Sequence, residues 1–210
     1  MKNLIASLLV MGSFTGLANA AGNAESGQPL TTICSACHNV DGNSPSGTFP
    51  KLAGQGSKYL VKQMQDIKSG DRVILEMTGM LDAFNDQQIE DIAAYYSSQS
   101  VQVGEANPEL VRLGEALYKA GNAETGVPAC IGCHAPDGSG LSLAIFPALG
   151  GQHAEYIASQ LVKFQKGYRA EEPSTEARMN DGDAQIMRSI AFNLKDFEIE
   201  ALASYIQGLH

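Results

Sequence analysis

An internal duplication constrains the fold of this chain more than any other feature. Cys34–His38 (CSACH) recurs 96 residues later as Cys130–His134 (CIGCH), and Phe49-Pro50 recurs 97 residues later as Phe146-Pro147. The offset of 97 continues through four further pairs: Leu52 with Leu149, Gln55 with Gln152, Tyr59 with Tyr156 and Gln63 with Gln160. Repetition at a fixed period indicates a repeated structural unit, so the sequence predicts two similar domains in tandem.

The offset then increases to 110, which pairs Met77 with Met187 and Tyr95 with Tyr205. The second copy therefore contains about thirteen extra residues between Gly167 and Met187. This segment is rich in Glu, Asp and Arg, and we expect it to be a solvated loop. The Gly, Asn and Pro of residues 101–108 are typical of a linker, which places the domains at 21–103 and 104–210.

Residues 1–20 have the features of a secretory signal peptide. Lys2 precedes an apolar stretch, and Ala18-Asn19-Ala20 is a small-residue cleavage site before Ala21. After Ala21 no apolar run approaches the roughly 18 residues of a membrane span. The sequence thus predicts a protein exported to the periplasm.

Apolar residues recur at helical spacing in both copies, and no alternating strand pattern is present. The predicted helices are 58–68, 85–97, 109–119, 153–164 and 196–206. The fold class is therefore all-α. Units of this length with short helices and long loops have small cores, so we expect something else to fill the middle of each.

Charge narrows the range of partners. There are 23 acidic and 14 basic residues, for a net charge of −9. Binding to nucleic acid or electrostatic docking on anionic lipid needs a basic surface, so neither is expected.

In an exported chain, Cys-x-x-Cys-His is the spacing of covalent haem attachment. The two thiols add to the haem's vinyl groups, and the adjacent imidazole binds iron. We therefore predict two haem c groups, attached through Cys34 and Cys37 and through Cys130 and Cys133, with His38 and His134 as iron ligands. A redox dithiol, a zinc site and a structural disulfide are the competing interpretations; the dithiol would need a βαβ setting, and adjacent Cys-His is poor zinc spacing.

A second axial ligand is expected from methionine, because His/Met is a standard haem ligation. Met77 and Met187 are the pair that the offset of 110 aligns. Met80 remains the rival in the first copy and Met179 in the second. The alternative for any methionine is a packing role in the core.

The repeated Phe-Pro suggests a role beside the ligating histidines. An imidazole that binds metal usually donates its other N–H to a carbonyl or carboxylate, and we assign this supporting role to Pro50 and Pro147. The repeated tyrosines, including Tyr59 and Tyr156, are expected to be packing residues.

The chain resembles the dihaem cytochrome c4 family over its whole mature length. The resemblance rests on CSACH, CIGCH, FPKLAGQG, FPALGGQH, LEMTGML, NDGDAQIMRS and ASYIQGLH. It implies two class I cytochrome c domains related by a pseudo-twofold axis, with haem propionates near their interface. It also implies ligation by His38 and Met77 and by His134 and Met187, the set that the repeat gives independently.

The expected function is electron transfer without catalysis. The resemblance implies a periplasmic carrier, often loosely membrane-associated, that receives electrons from a quinol-oxidising complex or other donor and delivers them to a terminal oxidase. Three alternatives remain: a dihaem peroxidase, a haem-based sensor with a labile ligand, and an electron-transfer subunit of a membrane dehydrogenase or oxidase.

Overall fold

The computed structural model describes residues 21–210, and the predicted signal peptide lies outside the described residues. The described chain is helical, as predicted; its only β pairing consists of two isolated bridges, Asn122 with Val127 and Leu141 with Phe146. No helix in residues 21–210 combines the length and apolar character needed to cross a membrane.

The first half contains four α-helices and two short 3-10 segments. The helices are α1 (Ala24–Gly27), α2 (Ser35–His38), α3 (Ser57–Ser69) and α4 (Asp86–Ser97), and the 3-10 segments are Gln28–Thr32 and Leu75–Met77. Asn85 is the N-cap of α4 and forms a capping box. Its side chain accepts from the Gln88 backbone N–H, and the Gln88 side chain accepts from the Asn85 backbone N–H.

The second half repeats this order with a much longer first helix and one additional helix. These are α5 (Pro108–Ala120), α6 (Ile131–His134), α7 (Ala154–Gly167), α8 (Ile186–Phe192) and α9 (Asp196–Gln207), with a 3-10 segment at Ser142–Ala144. The five predicted helices correspond to α3, α4, α5, α7 and α9. The shorter helices α1, α2, α6 and α8 are not among the predicted ones.

In both halves the first helix packs against the last through a glycine. A Cβ on Gly27 would lie 2.0 Å from the Asp91 carbonyl oxygen, and one on Gly114 would lie 2.2 Å from the Ala201 carbonyl oxygen. Asp91 and Ala201 are matched positions at the offset of 110. Only glycine permits this close approach, so the duplication preserves one helix crossing twice.

Each half has its own apolar core, and the second is the larger. The first core centres on Leu60, Ile92, Ala93 and Tyr96, with Cys34 packed against it. The second contains ten buried residues, and Cys130 packs against it. The first cysteine of each pentapeptide therefore lies beside the core of its half.

The expectation of a solvated loop between Gly167 and Met187 is wrong for part of that segment. Residues 171–176 are largely exposed, but Ala177 and Arg178 are buried. The backbone N–H of Arg178 donates to the Lys163 carbonyl at 2.9 Å, just as that of Arg72 donates to the Asp66 carbonyl at 2.9 Å. Since Lys163 matches Asp66, Arg178 is the counterpart of Arg72, and the insertion is divided on either side of it.

Candidate functional site

Each Cys-x-x-Cys-His pentapeptide forms a single helical turn. Cys34 is the N-cap of α2, and Cys130 is the N-cap of α6; each helix ends at its histidine. Residues three and four apart lie on the same face of a helical turn, so both thiols and the imidazole are neighbours. All four cysteines are free and half-buried.

The two imidazoles are held by the same contact. His38 Nδ1 lies 2.9 Å from the Pro50 carbonyl oxygen, and His134 Nδ1 lies 2.9 Å from the Pro147 carbonyl oxygen. A carbonyl only accepts, so each Nδ1 carries the proton and each Nε2 keeps its lone pair. Burial lowers the pKa of both histidines, with the hydrogen bonds to Pro50 and Pro147 opposing it, and so favours the neutral, metal-binding form.

The surroundings of the two histidines also match. The Phe49 ring centroid lies 6.3 Å from that of His38, and the Phe146 centroid lies 6.4 Å from that of His134. The residue after each histidine has a positive φ: 64° at Asn39 and 65° at Ala135. Non-glycine residues rarely adopt this conformation, so the chain stores strain at the same place in both halves.

The thiols do not resemble a redox-active dithiol. Burial raises the pKa of Cys34, and it raises the pKa of Cys130 to about 11. Reactive dithiols instead depend on a lowered thiol pKa. Among residues 21–210 no group of three or more His, Cys, Asp or Glu side chains is arranged to hold a metal ion.

The four methionines at issue differ in their settings. Met77 ends the 3-10 segment Leu75–Met77, Met187 lies in the first turn of α8, and both are half-buried. Met80 is 37% exposed. Met179 is half-buried beside Arg178 in the inserted segment.

An ion pair next to Met187 has no counterpart in the first half. Arg188 Nε lies 2.6 Å from Asp181 Oδ1, and the Arg188 backbone N–H donates to Asp181 Oδ2 at 2.9 Å. Both side chains are less than a tenth exposed. Thr78 occupies the position that matches Arg188. The start of α8 is thus anchored by a buried charge pair.

Two repeated glutamines join the halves. Gln55 Nε2 donates to the Ala148 carbonyl at 2.9 Å, and its Oε1 accepts from the Ala148 N–H at 2.8 Å. Gln152 makes the same two contacts with the backbone of Lys51, at 2.9 and 2.8 Å. Lys51 and Ala148 are matched positions, so these contacts obey a twofold relation between the halves.

Arg72 and Arg178 are the site residues that sequence reasoning missed. Arg72 donates to Tyr156 and Gln160 of the second half, while Arg178 donates to Tyr59 and Gln63 of the first. The repeated tyrosines are therefore hydrogen-bonded at the interface, in addition to any packing role. The two arginines are 106 residues apart, between the two offsets of the repeat, so alignment could not pair them.

The residues present fit a covalently attached haem in each half. Two neighbouring thiols can form the thioether links, and the adjacent buried imidazole offers Nε2 to iron. The carbonyl contact to Nδ1 is the support that a ligating histidine usually has.

Comparison with known proteins also indicates a cytochrome c domain in each half. The cytochrome c family model matches residues 24–100 and again residues 111–210. The chain is 54% identical over 219 residues to cytochrome c4 of Stutzerimonas stutzeri, with all of both chains covered. It is 54% identical over 210 residues to cytochrome c4 of Pseudomonas aeruginosa, again with full coverage of both.

Among solved structures, the crystal structure of reduced recombinant cytochrome c4 from Pseudomonas stutzeri superposes with a TM-score of 0.85 at 55% identity. The match covers 90% of this chain and 100% of that one. These matches confirm the resemblance to the cytochrome c4 family. They also confirm the predicted fold of two cytochrome c domains and the two haem c groups.

Proposed function

The chain belongs to the cytochrome c4 family of dihaem electron-transfer cytochromes. We propose that one histidine and one methionine bind the iron of each haem. The observation that carries this proposal is the matched pair of buried imidazoles, each with Nδ1 tied to a proline carbonyl. An iron with two protein ligands has no open position for a substrate, so the site serves electron transfer without catalysis.

The protein's contribution is to hold and shield the redox centres. Cys34, Cys37, Cys130 and Cys133 would form the thioether links to the haems, and His38 and His134 would each bind an iron. The haems would supply one-electron redox chemistry. Burial of the two imidazoles excludes water, and the carbonyls of Pro50 and Pro147 fix the imidazole orientation and increase its basicity.

Met77 and Met187 supply the second ligands in this proposal. Both are half-buried at matched positions of the repeat. Thioether ligation stabilises ferrous iron and raises the reduction potential. Met77→Ala and Met187→Ala should each open one haem per chain to carbon monoxide, whereas Met80→Ala and Met179→Ala should open none. Carbon monoxide binding in Met80→Ala but not in Met77→Ala would reassign the first-half ligand.

The test of the function itself uses the unmodified protein. Carbon monoxide is added to the reduced protein, the visible spectrum is recorded, and haem is counted on the same sample. Two haems per chain and an unchanged spectrum are expected for an electron carrier. A spectral shift equivalent to one haem would reveal an open or labile site, and a peroxidase or sensor would then become the better description.

We place the protein in the periplasm, after removal of residues 1–20, with a quinol-oxidising complex or other donor and a terminal oxidase as its redox partners. The leader features of the sequence support export. The net charge of the full sequence, −9, favours a partner that presents a basic patch, or contact through an apolar haem edge, together with at most peripheral membrane association.

Capture of the protein with detergent-solubilised membranes of its host would identify the partners. A salt-sensitive complex with an oxidase is the expected result. Stable co-purification with a dehydrogenase alone would instead make the chain a subunit of that enzyme.

A further inference from the structure

The second half has an open groove between α5, α7 and α9, with a volume of about 730 Å³. Residues of α7 and α9 form two of its walls, and residues 105–107 with Leu110 form the third. Among the described residues that line the groove, none belongs to a Cys-x-x-Cys-His pentapeptide or is a proposed methionine ligand. A role for this groove would therefore be separate from the binding of haem.

The floor of the groove is apolar. Ala158 and Val162 lie one helical turn apart on α7, and Ile199 and Ala203 lie one turn apart on α9, so each helix turns one face toward the groove. The two alanines are small, and small side chains at a helix contact let the two helix axes approach closely. The floor can therefore accept a further helix.

Four carboxylates form the rim of the groove: Glu105, Glu155, Asp196 and Glu200. All four residues are exposed, and none takes part in an ion pair within residues 21–210. Glu155 has one long contact, from the Thr48 hydroxyl at 3.5 Å. No Lys, Arg or His is among the described residues that line the groove, so the rim complements a partner with basic side chains.

The first half shows that the fold does not require this combination. Lys58 occupies the position that matches Glu155, and Gln65 occupies the position that matches Val162. The first helix is also different, because α1 has four residues and α5 has thirteen. The acidic rim and the apolar floor are thus particular to the second half, and packing of the common fold does not account for them.

Hydrogen bonds hold the walls of the groove together. Gln207 Oε1 accepts from the Ala154 backbone N–H at 2.9 Å, and Gln207 Nε2 donates to the Glu105 carbonyl at 2.8 Å. The Asn107 backbone N–H donates to Ser204 Oγ at 2.8 Å. The groove is therefore formed before anything binds, which reduces the ordering cost of binding.

The shape of the groove favours a helix as its occupant. The backbone N–H and C=O groups of α7 and α9 are bonded within each helix, so these walls offer no strand edge to an extended peptide. The fourteen residues of α7 span about 21 Å and the twelve of α9 span about 18 Å. These lengths match a helix of about three to four turns.

We propose that this groove docks an amphipathic helix of a partner protein, whose apolar face is bordered by Lys and Arg. The apolar face covers Ala158 and Val162, and the basic side chains pair with Glu155 and Glu200 of the rim. The docked helix covers none of the residues assigned to haem, so the partner is held while electrons are exchanged elsewhere on the surface. The inference goes beyond the proposed electron transfer and does not depend on it.

The probe is a synthetic peptide of about four helical turns built from Leu, Ala and Lys, with Leu on one face and Lys along both borders of that face. Its control has the same composition in scrambled order. Isothermal titration calorimetry with the holoprotein should give a micromolar dissociation constant for the amphipathic peptide, at least about tenfold tighter than for the scrambled one. Equal affinity for the two peptides, or no binding at about 1 mM, would overturn the proposal.

Two variants replace residues of the groove with those that the first half has at the matched positions, so both should fold. Glu155→Lys and Val162→Gln should each weaken binding of the amphipathic peptide about tenfold. Glu171→Lys makes the same charge change at an exposed residue outside the groove and should alter the affinity less than about twofold.

Equal weakening by Glu155→Lys and Glu171→Lys would mean that the peptide binds an acidic protein without a defined site, and unchanged affinity in Val162→Gln would mean that the floor is not contacted. Either result would overturn the groove. Binding should also weaken but persist at about 0.5 M salt, because salt screens the rim and not the apolar contact, and its complete loss there would contradict an apolar contact.

Sedimentation of the unmodified protein tests the other possible occupant, a second copy of this chain. A monomer is expected, and a dimer that both groove variants dissociate would overturn docking of a partner helix. Haem content and the carbon monoxide spectrum are recorded for every variant and should equal those of the unmodified protein. Loss of peptide binding with both haems closed would concern the groove alone, whereas an open haem in the unmodified protein would concern the electron-transfer function.

Discussion

The buried ion pair beside Met187 is expected to stabilise the start of α8, and substitution of Asp181 tests this role. Asp181 accepts from Arg188 through both carboxylate oxygens, at 2.6 Å from Nε and 2.9 Å from the backbone N–H. The substitution Asp181→Asn keeps the size of the side chain but removes its charge. Arg188, whose side chain is 7% exposed, then stays buried without a counter-charge.

Removing one partner of a buried ion pair typically costs about 3–5 kcal/mol. Asparagine can still accept one hydrogen bond, so we expect the lower end, a loss of about 3 kcal/mol in the free energy of unfolding. For a chain of this size each kcal/mol lowers Tm by about 2–4 °C, so Tm should fall by about 6–12 °C. Thermal unfolding followed by circular dichroism measures this fall.

The same variant reports on the iron ligand. Arg188 follows Met187 directly in α8, so loosening the pair should weaken the proposed ligation by Met187 and leave the first half unchanged. The weak absorption band of the ferric iron–methionine bond should lose up to half its intensity. Asp183→Asn removes an equal charge from an exposed neighbour and should change stability by less than about 0.5 kcal/mol. A loss below about 1 kcal/mol in Asp181→Asn, with the band intact, would refute the anchoring role.

Three further predictions concern strain, the interface and pH. Ala135→Gly should raise the free energy of unfolding by about 1 kcal/mol in denaturant titrations, because it relieves the positive φ of 65°; a destabilised variant would show that the site is unstrained. Gln55→Ala should lower the same quantity by about 2 kcal/mol and speed proteolysis of the linker at 101–107, because it removes both contacts to the Ala148 backbone; unchanged cleavage would argue against a role in joining the halves. Burial lowers the pKa of His153, as does the charge of Lys51, against the opposing hydrogen bond to Ser44 and charge of Glu155. The folded protein therefore binds this proton less tightly than the unfolded chain, and its stability should fall as pH drops below about 6.5; His153→Gln, which keeps an N–H donor for the Ser44 carbonyl, should flatten that fall, and an equal pH slope would contradict it.

The duplication made much of the site predictable because both copies repeat contacts as well as residues. The repeated Phe-Pro after each histidine predicted a supporting role for Pro50 and Pro147, and their carbonyl oxygens lie within hydrogen-bond distance of the two Nδ1 atoms. Gln55 and Gln152 recur because each holds the backbone of the other half. A side chain that acts across a twofold relation must recur if the contact is to be made twice.

Contacts that involve the inserted segment could not be predicted from the sequence. Arg72 and Arg178 are structurally equivalent, but the extra residues of the second half lie on both sides of Arg178 and hide the match. Composition was also misleading, because a segment rich in charged residues is normally solvated. Here the side chains of two of its charged residues are buried, Arg178 at the interface and Asp181 in the ion pair with Arg188.

The differences between the halves bear on which haem has the higher potential. Residues 21–103 contain nine acidic and five basic residues, and residues 104–210 contain fourteen and eight. Arg72 and Arg178 are shared across the interface, so they do not distinguish the halves. The buried pair of Asp181 and Arg188 is neutral overall and contributes little.

Lys51 is a buried charge without a charged counterpart, because alanine occupies the equivalent position, Ala148. Two buried carboxylates are likewise unmatched, one in each half: Asp91 and Glu198. It follows Pro50, whose carbonyl holds His38, and its Nζ donates to the Gly151 carbonyl at 3.0 Å and to the Gln102 carbonyl. A buried cation next to the first site favours reduction there, so we expect the first-half haem to have the higher potential. Redox titration of Met77→His and Met187→His variants assigns the two potentials, since each substitution should lower only the potential of its own haem. A higher potential in the second half would mean that local polarity outweighs this charge.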